Sequence, residues 1–412
     1  MKHLPLYLSL LLALPALAAD WPAPLPPADI VERVLLAQPE VLAAGKYLDA
    51  ETANRRRLEA GEHEWGVRAG AQRRRSMPEN MPTARFSEWN IALERPLRLP
   101  DKRQTDSALG ESGVNLAASA RGDALHEAGR QLLQRWFAKL KTEAAEQQWA
   151  AQVGLLKQEA AAITRRQQLG DAARIDRVLA DAAVAQAEAQ WLIARQRSAD
   201  AMDTLRRHYP ELPNATPSLP DTLPAFTGSE EDWVAAMLEH NHELQLARGE
   251  SAHSRLLATR QRQNRLPDPS VGVQWSRERG GEENVLGAYI SLPLPGESRR
   301  AAADVAQAQA AAAQDRQTAV ERRVAAEAAA SYRAAINGRS AWDASRRAAE
   351  QTAEAGTMSA RAYQLGEGSL GDVLQARRQA NEARLAGHQA QLDALEAHYR
   401  LLLDTHRLWD LD

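Results

Sequence analysis

Residues 363–374 read YQLGEGSLGDVL and place three glycines inside an alanine-rich stretch that is otherwise typical of a long helix. Glycine favours helix ends because it adopts positive φ without steric cost. A second break of the same kind, QLGDAARID, occupies residues 168–176. The two breaks are 196 residues apart, and this offset carries Asp176 onto Asp372 (372 − 176 = 196). The sequence therefore predicts two equivalent turns at which a helix reverses its direction.

The order of elements around these turns also occurs twice. In each copy a helix precedes two strand-like segments, and a very long helix, a break and a further helix follow. Residues 209–230 form a proline-rich linker between the copies. The sequence predicts a first repeat at 19–208 with its hairpin tip at about 168–176, and a second repeat at 231–412 with its tip at about 364–372.

The strand-like segments alternate between apolar and polar residues, as strands with two different faces do. They are predicted at about 64–73, 85–97, 270–277 and 284–294. Each is near the length of about nine residues that a tilted membrane strand requires. Four strands cannot close a barrel alone, since the smallest membrane barrels have about eight, whereas three chains would supply twelve. The expected fold is therefore mainly α with a β-barrel portion to which several chains contribute.

The N-terminal segment and the composition indicate an exported protein. Residues 1–18 combine Lys2 with an apolar run and end in Ala-Leu-Ala, which predicts a signal peptide. No run of 18 apolar residues follows, which argues against a helical membrane span. The chain has no cysteine and a formal net charge of −3, which excludes disulfides and disfavours nucleic-acid binding. Two basic runs, 55–57 and 73–75, are interpreted as solvated faces or strand ends.

Two further stretches carry a family resemblance, namely LPDPSVGVQW at residues 266–275 and ISLPLPGESRR at residues 290–300. Together with the duplicated breaks, they resemble the TolC family of outer-membrane efflux proteins over essentially the whole mature chain. The LPDP and PLP motifs look most like the branch that serves heavy-metal pumps of the cobalt-zinc-cadmium type. The resemblance implies a homotrimer in which a twelve-stranded outer-membrane β-barrel continues into a periplasmic α-helical barrel.

The same resemblance implies a conduit rather than an enzyme. The protein would lie in the outer membrane, in contact with its lipid, and extend into the periplasm as the exit duct of a tripartite efflux pump. Its partners would be a periplasmic adaptor (membrane fusion) protein and an inner-membrane efflux pump, and heavy-metal cations are one class of cargo. The alternative is a periplasmic coiled-coil scaffold or adaptor with a small β-subdomain. Two helical hairpins and two strand pairs favour the channel over this alternative.

The resemblance also implies a gate at the hairpin tips. Asp176 and Tyr363 resemble a pair that hydrogen-bonds to hold the tips closed, and Asp372 resembles an acid that forms a ring of three at the pore constriction. A ring of carboxylates favours cations. The other interpretation of Asp372 is a plain helix N-cap after Gly371. The chain departs from the family pattern at Gln375, where a second acid is expected, and at Gly368, where a basic residue is expected.

The leucine and glycine of each break resemble adaptor-contact residues. These are Leu169 and Gly170 in the first tip, and Leu365 and Gly366 in the second tip. Turn geometry alone also explains glycine at such positions, because a reversing helix commonly ends on a residue with positive φ. The two interpretations are compatible, since a turn residue can also contact a partner.

Metal and enzyme sites are not predicted. His240, His242 and Glu243, with Glu239, form the one cluster of potential ligands that the sequence brings together. Residues two apart on a helix do not share a face, and no cysteine is available as a further ligand. The sequence contains no nucleophile elbow, zinc-protease motif, phosphate-binding loop or dinucleotide fingerprint, so no cofactor is expected.

Overall fold

The computed structural model describes residues 24–77, 79, 82–223 and 226–409, and the predicted signal peptide, residues 1–18, lies outside this part. The first half contains α1 (Ala28–Leu36), α2 (Pro39–Ala60), β1 (Gly66–Ser76), β2 (Ala84–Pro96), α3 (Pro100–Gln168) and α4 (Arg174–His208). The second half contains α5 (Glu230–His240), α6 (His242–Gln263), β3 (Ser270–Glu278), β4 (Glu283–Ser291), α7 (Glu297–Gln364) and α8 (Leu370–Asp404). A short 3₁₀ turn, Arg279–Gly281, connects β3 to β4.

Both halves have the same order of elements, with two helices, a strand pair, a very long helix and a shorter helix. The long helices α3 and α7 contain 69 and 68 residues, which corresponds to about 100 Å each at 1.5 Å per residue. Helices of this length are stable only when they pack against neighbours. Accordingly α3 packs against α4 and α8, and α7 packs against α8. The two hairpins of each chain therefore form one continuous layer of helices.

The largest buried side chains meet near the middle of α3 and the end of α8. Trp136 and Phe137 are at most 1% exposed and share a cluster with Leu395 and Tyr399. The Trp136 indole donates a hydrogen bond to the carbonyl oxygen of Pro24 (2.7 Å). This hydrogen bond ties the start of the described chain to the core.

The proline-rich segment after α4 packs against the same core. Tyr209, Leu212 and Leu223 belong to the cluster, and Gln391 of α8 donates a hydrogen bond to the carbonyl oxygen of Pro220 (2.9 Å). The segment therefore stabilises the middle of the helices in addition to connecting the two halves.

Away from this core the helices pack through small side chains. Near the start of α7 the buried residues are alanines, spaced three or four apart as one helical face requires. They are Ala303, Ala306, Ala310 and Ala313. Alanine stripes bring helix backbones close together but bury little apolar area, so each helix depends on neighbours along its whole length.

The four strands form one antiparallel sheet in the order β1-β2-β3-β4. Strands β2 and β3 come from different halves of the chain, and their pairing places Ile91 opposite Trp275 and Leu93 opposite Val273. The sheet therefore joins the two halves at the end opposite the hairpin tips. Among the described residues, no helix is both long and apolar enough to cross a membrane.

A buried ion pair connects the sheet to the helices. Asp268, in the turn between α6 and β3, accepts hydrogen bonds from Lys102 Nζ (2.9 Å) and from the backbone N–H of Leu99 (3.3 Å) at the start of α3. Its second carboxylate oxygen lies 3.2 Å from His63 Nε2. Lys102 is 1% exposed and also donates to the carbonyl oxygen of Leu266 (2.7 Å). The acid of the LPDP motif thus fixes the start of the long helix against the entry to the sheet.

A second set of contacts lies beside this pair. Arg98 donates hydrogen bonds to the carbonyl oxygens of Leu58 and Glu59 (2.6 Å each), which are last-turn carbonyls of α2 that the helix itself leaves unpaired. It also forms an ion pair with Asp106 (3.1 Å), which pairs in turn with Arg260 of α6. The two halves of the chain therefore share one polar junction beneath the sheet.

Replacing Asp268 with Ala should destabilise the protein by about 3 kcal/mol, because it leaves the buried Lys102 ammonium without its counter-charge. Thermal unfolding followed by tryptophan fluorescence measures the effect. Asp49→Ala is the matched control, since Asp49 and its partner Lys46 are 71% and 83% exposed and such pairs contribute at most about 1 kcal/mol. Equal unfolding temperatures for the two variants would contradict the role of the junction.

Candidate functional site

One face of the sheet carries a continuous band of apolar side chains. Strict alternation and the strand register place the members of each strand on the same side. They are Val67, Ala69 and Ala71 of β1; Trp89, Ile91 and Leu93 of β2; Val271, Val273 and Trp275 of β3; and Leu286, Ala288 and Ile290 of β4. Large members remain exposed, with Leu286 at 81% and Ile290 at 70%. A contiguous apolar surface of this kind marks an interface with another apolar phase.

The opposite face of the sheet is polar and internally paired. Glu94 accepts hydrogen bonds from Arg68 (3.1 Å) and from the Tyr289 hydroxyl (2.8 Å). Arg74 pairs with Glu88 (3.2 Å) and Glu278 (3.1 Å), and so bridges two carboxylates that would repel each other across the strands. This face can therefore border water while the other face borders an apolar phase.

The connection between β3 and β4 folds over the polar face. The backbone N–H of Arg279 donates a hydrogen bond to Glu88 (3.2 Å), and the Gln72 amide donates another (2.9 Å). Glu88 is consequently 3% exposed although it lies on a surface of the sheet. This connection thus covers part of the polar surface near the end of the sheet that lies away from the helices.

Tryptophan side chains flank the apolar face at both ends. Trp89 and Trp275 form an edge-to-face pair with ring centroids 4.9 Å apart, towards the strand connections. Trp65 lies at the end nearer the helices, with the Arg95 guanidinium 5.5 Å from its ring centroid. Tryptophan is enriched at membrane–water interfaces because its ring is apolar and its N–H is polar. The apolar band between these residues has the arrangement of a membrane-facing surface.

The first hairpin tip ends α3 with the hydrogen bonds of a glycine-terminated helix. Gly170 has φ +81°, and its N–H donates to the carbonyl oxygen of Gln167 (3.1 Å). The N–H of Asp171 donates to the carbonyl oxygen of Arg166 (2.8 Å). This pair of hydrogen bonds satisfies carbonyls that the helix end would otherwise leave free. Leu169, at the turn, is 78% exposed.

The second hairpin tip repeats this geometry. Gly366 has φ +79° and donates to the carbonyl oxygen of Tyr363 (3.1 Å), while Glu367 donates to that of Ala362 (2.9 Å). Leu365 is 60% exposed. The structure therefore explains both glycines by turn geometry. Contact between either exposed leucine and an adaptor stays a prediction.

At the tips, Tyr363 contacts Arg166 of the other hairpin. The Arg166 guanidinium lies 5.3 Å from the centroid of the Tyr363 ring and also donates to the Asp171 carboxylate (2.9 Å). Burial raises the pKa of the Tyr363 hydroxyl, and the negative charge of Asp176 raises it further. Within the described chain the Tyr363 hydroxyl makes no hydrogen bond, so the predicted bond to Asp176 is not formed in this single chain.

Arg166 is a residue of the tip that the sequence pattern did not predict. Its position in the last turn of α3, four residues before Gly170, was the one feature that indicated a role at the tip. A cation there can also interact favourably with the negative end of the helix dipole.

Asp372 occupies the third position of α8 and closes a capping box with Ser369. Its carboxylate accepts hydrogen bonds from the Ser369 hydroxyl (2.7 Å) and backbone N–H (3.2 Å), and its own N–H donates to the Ser369 hydroxyl oxygen (3.2 Å). These hydrogen bonds hold the pKa of the Asp372 carboxyl below its ordinary value. The N-cap of α8 is Ser369, so the interpretation of Asp372 as the N-cap is wrong, and Asp372 instead contributes its exposed carboxylate to the capping box from the third helical position.

Polar contacts between α3 and α8 hold the two hairpins together above the tips. Arg377 donates to Glu159 (3.1 Å), and Gln148 donates to Asn381 (2.9 Å). Sequence reasoning did not identify these contacts, since their partners lie more than 200 residues apart. An open groove of about 490 Å³ between α3, α4 and α8 is lined in part by Gln375, the residue that departs from the family pattern.

The histidines considered as metal ligands lie in a larger ring cluster. His240 and His242 both contact the ring of His406, with centroids 5.0 and 5.2 Å apart, and His126 stacks on His406 at 5.6 Å. Burial lowers the pKa of His126 to about 4. In the part of the chain that the structure describes, no group of three or more histidine, cysteine or acidic side chains is arranged to hold a metal ion.

Comparisons with known proteins agree with this geometry. Residues 233–403 match the model of the family described as outer membrane efflux protein. No curated protein sequence matches the chain. The solved outer-membrane channel OprN is 16% identical, with 93% of this chain and 90% of that chain covered and a TM-score of 0.78.

Two further channel structures give the same result. The CmeC outer membrane channel of Campylobacter jejuni is 13% identical over 93% of this chain and 86% of that chain, with a TM-score of 0.75. The outer membrane protein VceC of Vibrio cholerae is 15% identical over 93% of this chain and 96% of that chain, also with a TM-score of 0.75. The predicted resemblance is therefore confirmed: the second half of the chain matches the outer membrane efflux protein family, and the whole described chain has the fold of outer-membrane channels.

Proposed function

We propose that three copies of this chain form an outer-membrane channel that serves as the exit duct of a tripartite efflux pump. The observation that carries this proposal is the exposed apolar face of the sheet, which sits at one end of helices about 100 Å long. A periplasmic scaffold would have to bury such a face against itself or a partner. A channel exposes it to lipid.

The strand count supports a trimer. Strands β1 and β4 form the two edges of the sheet in the single chain, and each offers unpaired backbone groups to a neighbour. Pairing β4 of one copy with β1 of the next closes a barrel without edges, and three copies of a four-stranded sheet give twelve strands. In such a barrel the polar face, with Glu88, Glu94 and their arginines, borders the lumen.

The helices support a continuous conduit below the membrane. Both long helices follow directly from the sheet, so three chains would extend the barrel into the periplasm as a ring of helices. Alanine-rich faces let neighbouring helices pack closely around a hollow centre. The tips at the far end are then the periplasmic entrance, where an adaptor protein and an inner-membrane pump would deliver the cargo.

We propose that Tyr363, Arg166 and Asp176 hold the periplasmic entrance closed, and that Asp372 selects the charge of the ions that enter. Three Asp372 carboxylates around one axis would favour cations, and heavy-metal cations are the cargo class that the LPDP and PLP motifs predict. The exposed Leu169 and Leu365 are the proposed adaptor contacts.

Replacing Val273 with Arg should strongly reduce the amount of trimer in the outer membrane, because a charge on the lipid-facing side of a strand costs about 2–4 kcal/mol near the bilayer centre. Gln274→Arg is the matched control, since Gln274 lies next to it on the polar face of the same strand. Cell fractionation and detergent-extracted native gels measure both variants. Wild-type protein that fractionates as a soluble monomer would contradict the proposed function, and equal assembly of the two variants would contradict the assignment of faces.

Replacing Arg166 with Gln should raise the open fraction of the channel roughly two- to fivefold, the equivalent of a cation–π contact of about 0.5–1 kcal/mol. Tyr363→Phe keeps the ring and should leave conductance in planar bilayers close to that of the wild type, whereas Tyr363→Leu should resemble Arg166→Gln. Arg165→Gln, a neighbouring exposed arginine, is the control. An open channel in Tyr363→Phe would instead assign closure to the hydroxyl group that the family resemblance implies.

Replacing Asp372 with Asn should weaken block of the channel by a multivalent cation such as hexamminecobalt(III), because it removes the ring of charges. Because the pKa of the Asp372 carboxyl is lowered, this carboxylate stays charged at pH values at which an ordinary aspartate becomes protonated. Block of the wild-type channel should therefore persist as the pH falls through about 4. Ser369→Ala removes the hydroxyl hydrogen bond, the larger cause of the lowered pKa, while the backbone N–H bond remains, and should move the loss of block to higher pH. Glu367→Gln controls for loss of charge at the same tip, and unchanged block in Asp372→Asn would place this carboxylate outside the pore.

A further inference from the structure

Four arginines lie on the same face of the sheet as the apolar band, three of them beyond Trp89 and the fourth, Arg277, level with it and beyond Trp275. Alternation and register place them there, since Arg73 pairs with Ser87, Arg75 pairs with Arg85, and Arg277 pairs with Trp89. We call Arg73, Arg75, Arg85 and Arg277 the arginine rim. The rim lies at the end of the sheet that is remote from the helices.

The rim arginines differ from the arginines of the polar face in their partners. On the polar face Arg68 pairs with Glu94, and Arg74 pairs with Glu88 and Glu278. Within the described chain, none of the four rim arginines forms an ion pair with an acidic side chain. All four are exposed. The positive charges of the rim therefore lack the counter-charges that balance the other face.

The strand register makes the absence of a counter-charge unfavourable for the stability of the sheet. Arg75 and Arg85 are directly opposite each other on neighbouring strands and point to the same side. Like charges in this position destabilise a sheet unless an anion lies between or beside them. The polar face avoids the same problem between Glu88 and Glu278 because Arg74 bridges the two carboxylates. The rim has an equivalent need for an anion, and the described chain supplies none.

The position of the rim relative to the tryptophans indicates where that anion would be. Trp89 and Trp275 mark the edge of the apolar band. Residues on one face of a strand are about 7 Å apart, so Ser87 and its partner Arg73 lie one such step beyond Trp89, and Arg85 and Arg75 lie two. Tryptophan belts lie at headgroup level in membranes. The rim is therefore placed at the depth of lipid phosphates and just outside it.

We propose that the arginine rim binds the phosphate groups of phosphorylated lipids in the outer leaflet around the channel. This proposal rests on the proposed function, because only a membrane-inserted sheet presents this face to lipid. A guanidinium group binds phosphate through two parallel hydrogen bonds. The rim spans three adjacent strands about 4.8 Å apart, so a lipid with more than one phosphate can contact several arginines at once.

The test compares lipid binding by wild-type trimer and by a variant in which all four rim arginines are replaced with Gln. The probe is lipid A with two phosphates, titrated into detergent-solubilised protein and followed by native mass spectrometry. Each arginine near a lipid surface contributes roughly a fivefold change in affinity for lipid. The variant without the four rim arginines should therefore bind lipid A with an affinity lower by well over tenfold. Lipid A with one phosphate should bind the wild type more weakly than lipid A with two.

Two further variants test whether the loss of lipid binding is specific to the rim arginines and to their guanidinium groups. The control variant replaces four exposed helical arginines, Arg56, Arg197, Arg316 and Arg322, with Gln, and should bind the lipid as the wild type does. A variant with Lys at all four rim positions keeps the charge but loses the two-pronged hydrogen bonds, and should show intermediate affinity. Equal affinity of the Gln variant and the wild type, or equal binding of the two lipids, overturns the proposal.

Free phosphate and membrane insertion are measured on the same samples. Inorganic phosphate should neither displace the lipid nor raise the unfolding temperature, and an effect equal to that of the lipid would assign the rim to free anions instead. Trimer formation and planar-bilayer conductance report on the channel itself. If the trimers conduct and bind lipid equally with and without the rim arginines, the proposed lipid site is wrong but the proposed channel stands. If the protein forms neither trimers nor channels, the proposed function is wrong.

Discussion

The pairing of β2 with β3 is the interaction on which the other surfaces of this protein depend. It joins strands from the two halves of the chain and sets Leu93 opposite Val273 and Ile91 opposite Trp275. Side chains alternate between the two faces of a strand. If the pairing of β2 with β3 slipped by one residue, the apolar side chains of one half of the chain would lie on the same face as the polar side chains of the other half. The correct register instead gives one apolar face and one face of paired charges.

The two ends of the molecule are stabilised in different ways. Beneath the sheet, the buried Lys102 contacts Asp268, and Arg98 caps α2 while it pairs with Asp106. Breaking a buried pair of this kind is expensive, so the sheet end holds one arrangement. At the tips, the turns are exposed, and the hairpins meet through the contact of Arg166 with Tyr363 and a small apolar cluster that includes Ile163 and Leu370. Regions with few buried contacts open at lower cost, which suits a gate at the tips and a fixed barrel at the sheet.

The sequence predicted the features that depend on local pattern. The glycine breaks predicted both tips because positive φ is a property of single residues, and alternation predicted strands with two different faces. It did not predict the contact of Arg166 with Tyr363 or the ion pair of Lys102 with Asp268, since these partners come from distant parts of the chain. The interpretation of Asp372 as the helix N-cap was wrong, because the helix begins two residues earlier, with Ser369 as the N-cap and Asp372 at the third helical position.

The basic run at residues 73–75 shows that the strand register determines the environment of residues that composition alone cannot distinguish. As a sequence it is three consecutive arginines and looks like a solvated strand end. In the sheet the middle arginine, Arg74, turns to the polar face and bridges two carboxylates, while Arg73 and Arg75 turn to the apolar face without a counter-charge. Adjacent residues of one type thus enter two environments, a polar face of paired charges and the end of the face that carries the apolar band. The acids of the strands all lie on the polar face, so within the described chain Arg73 and Arg75 have no counter-charge on their own side, and the proposed phosphate ligand would supply one.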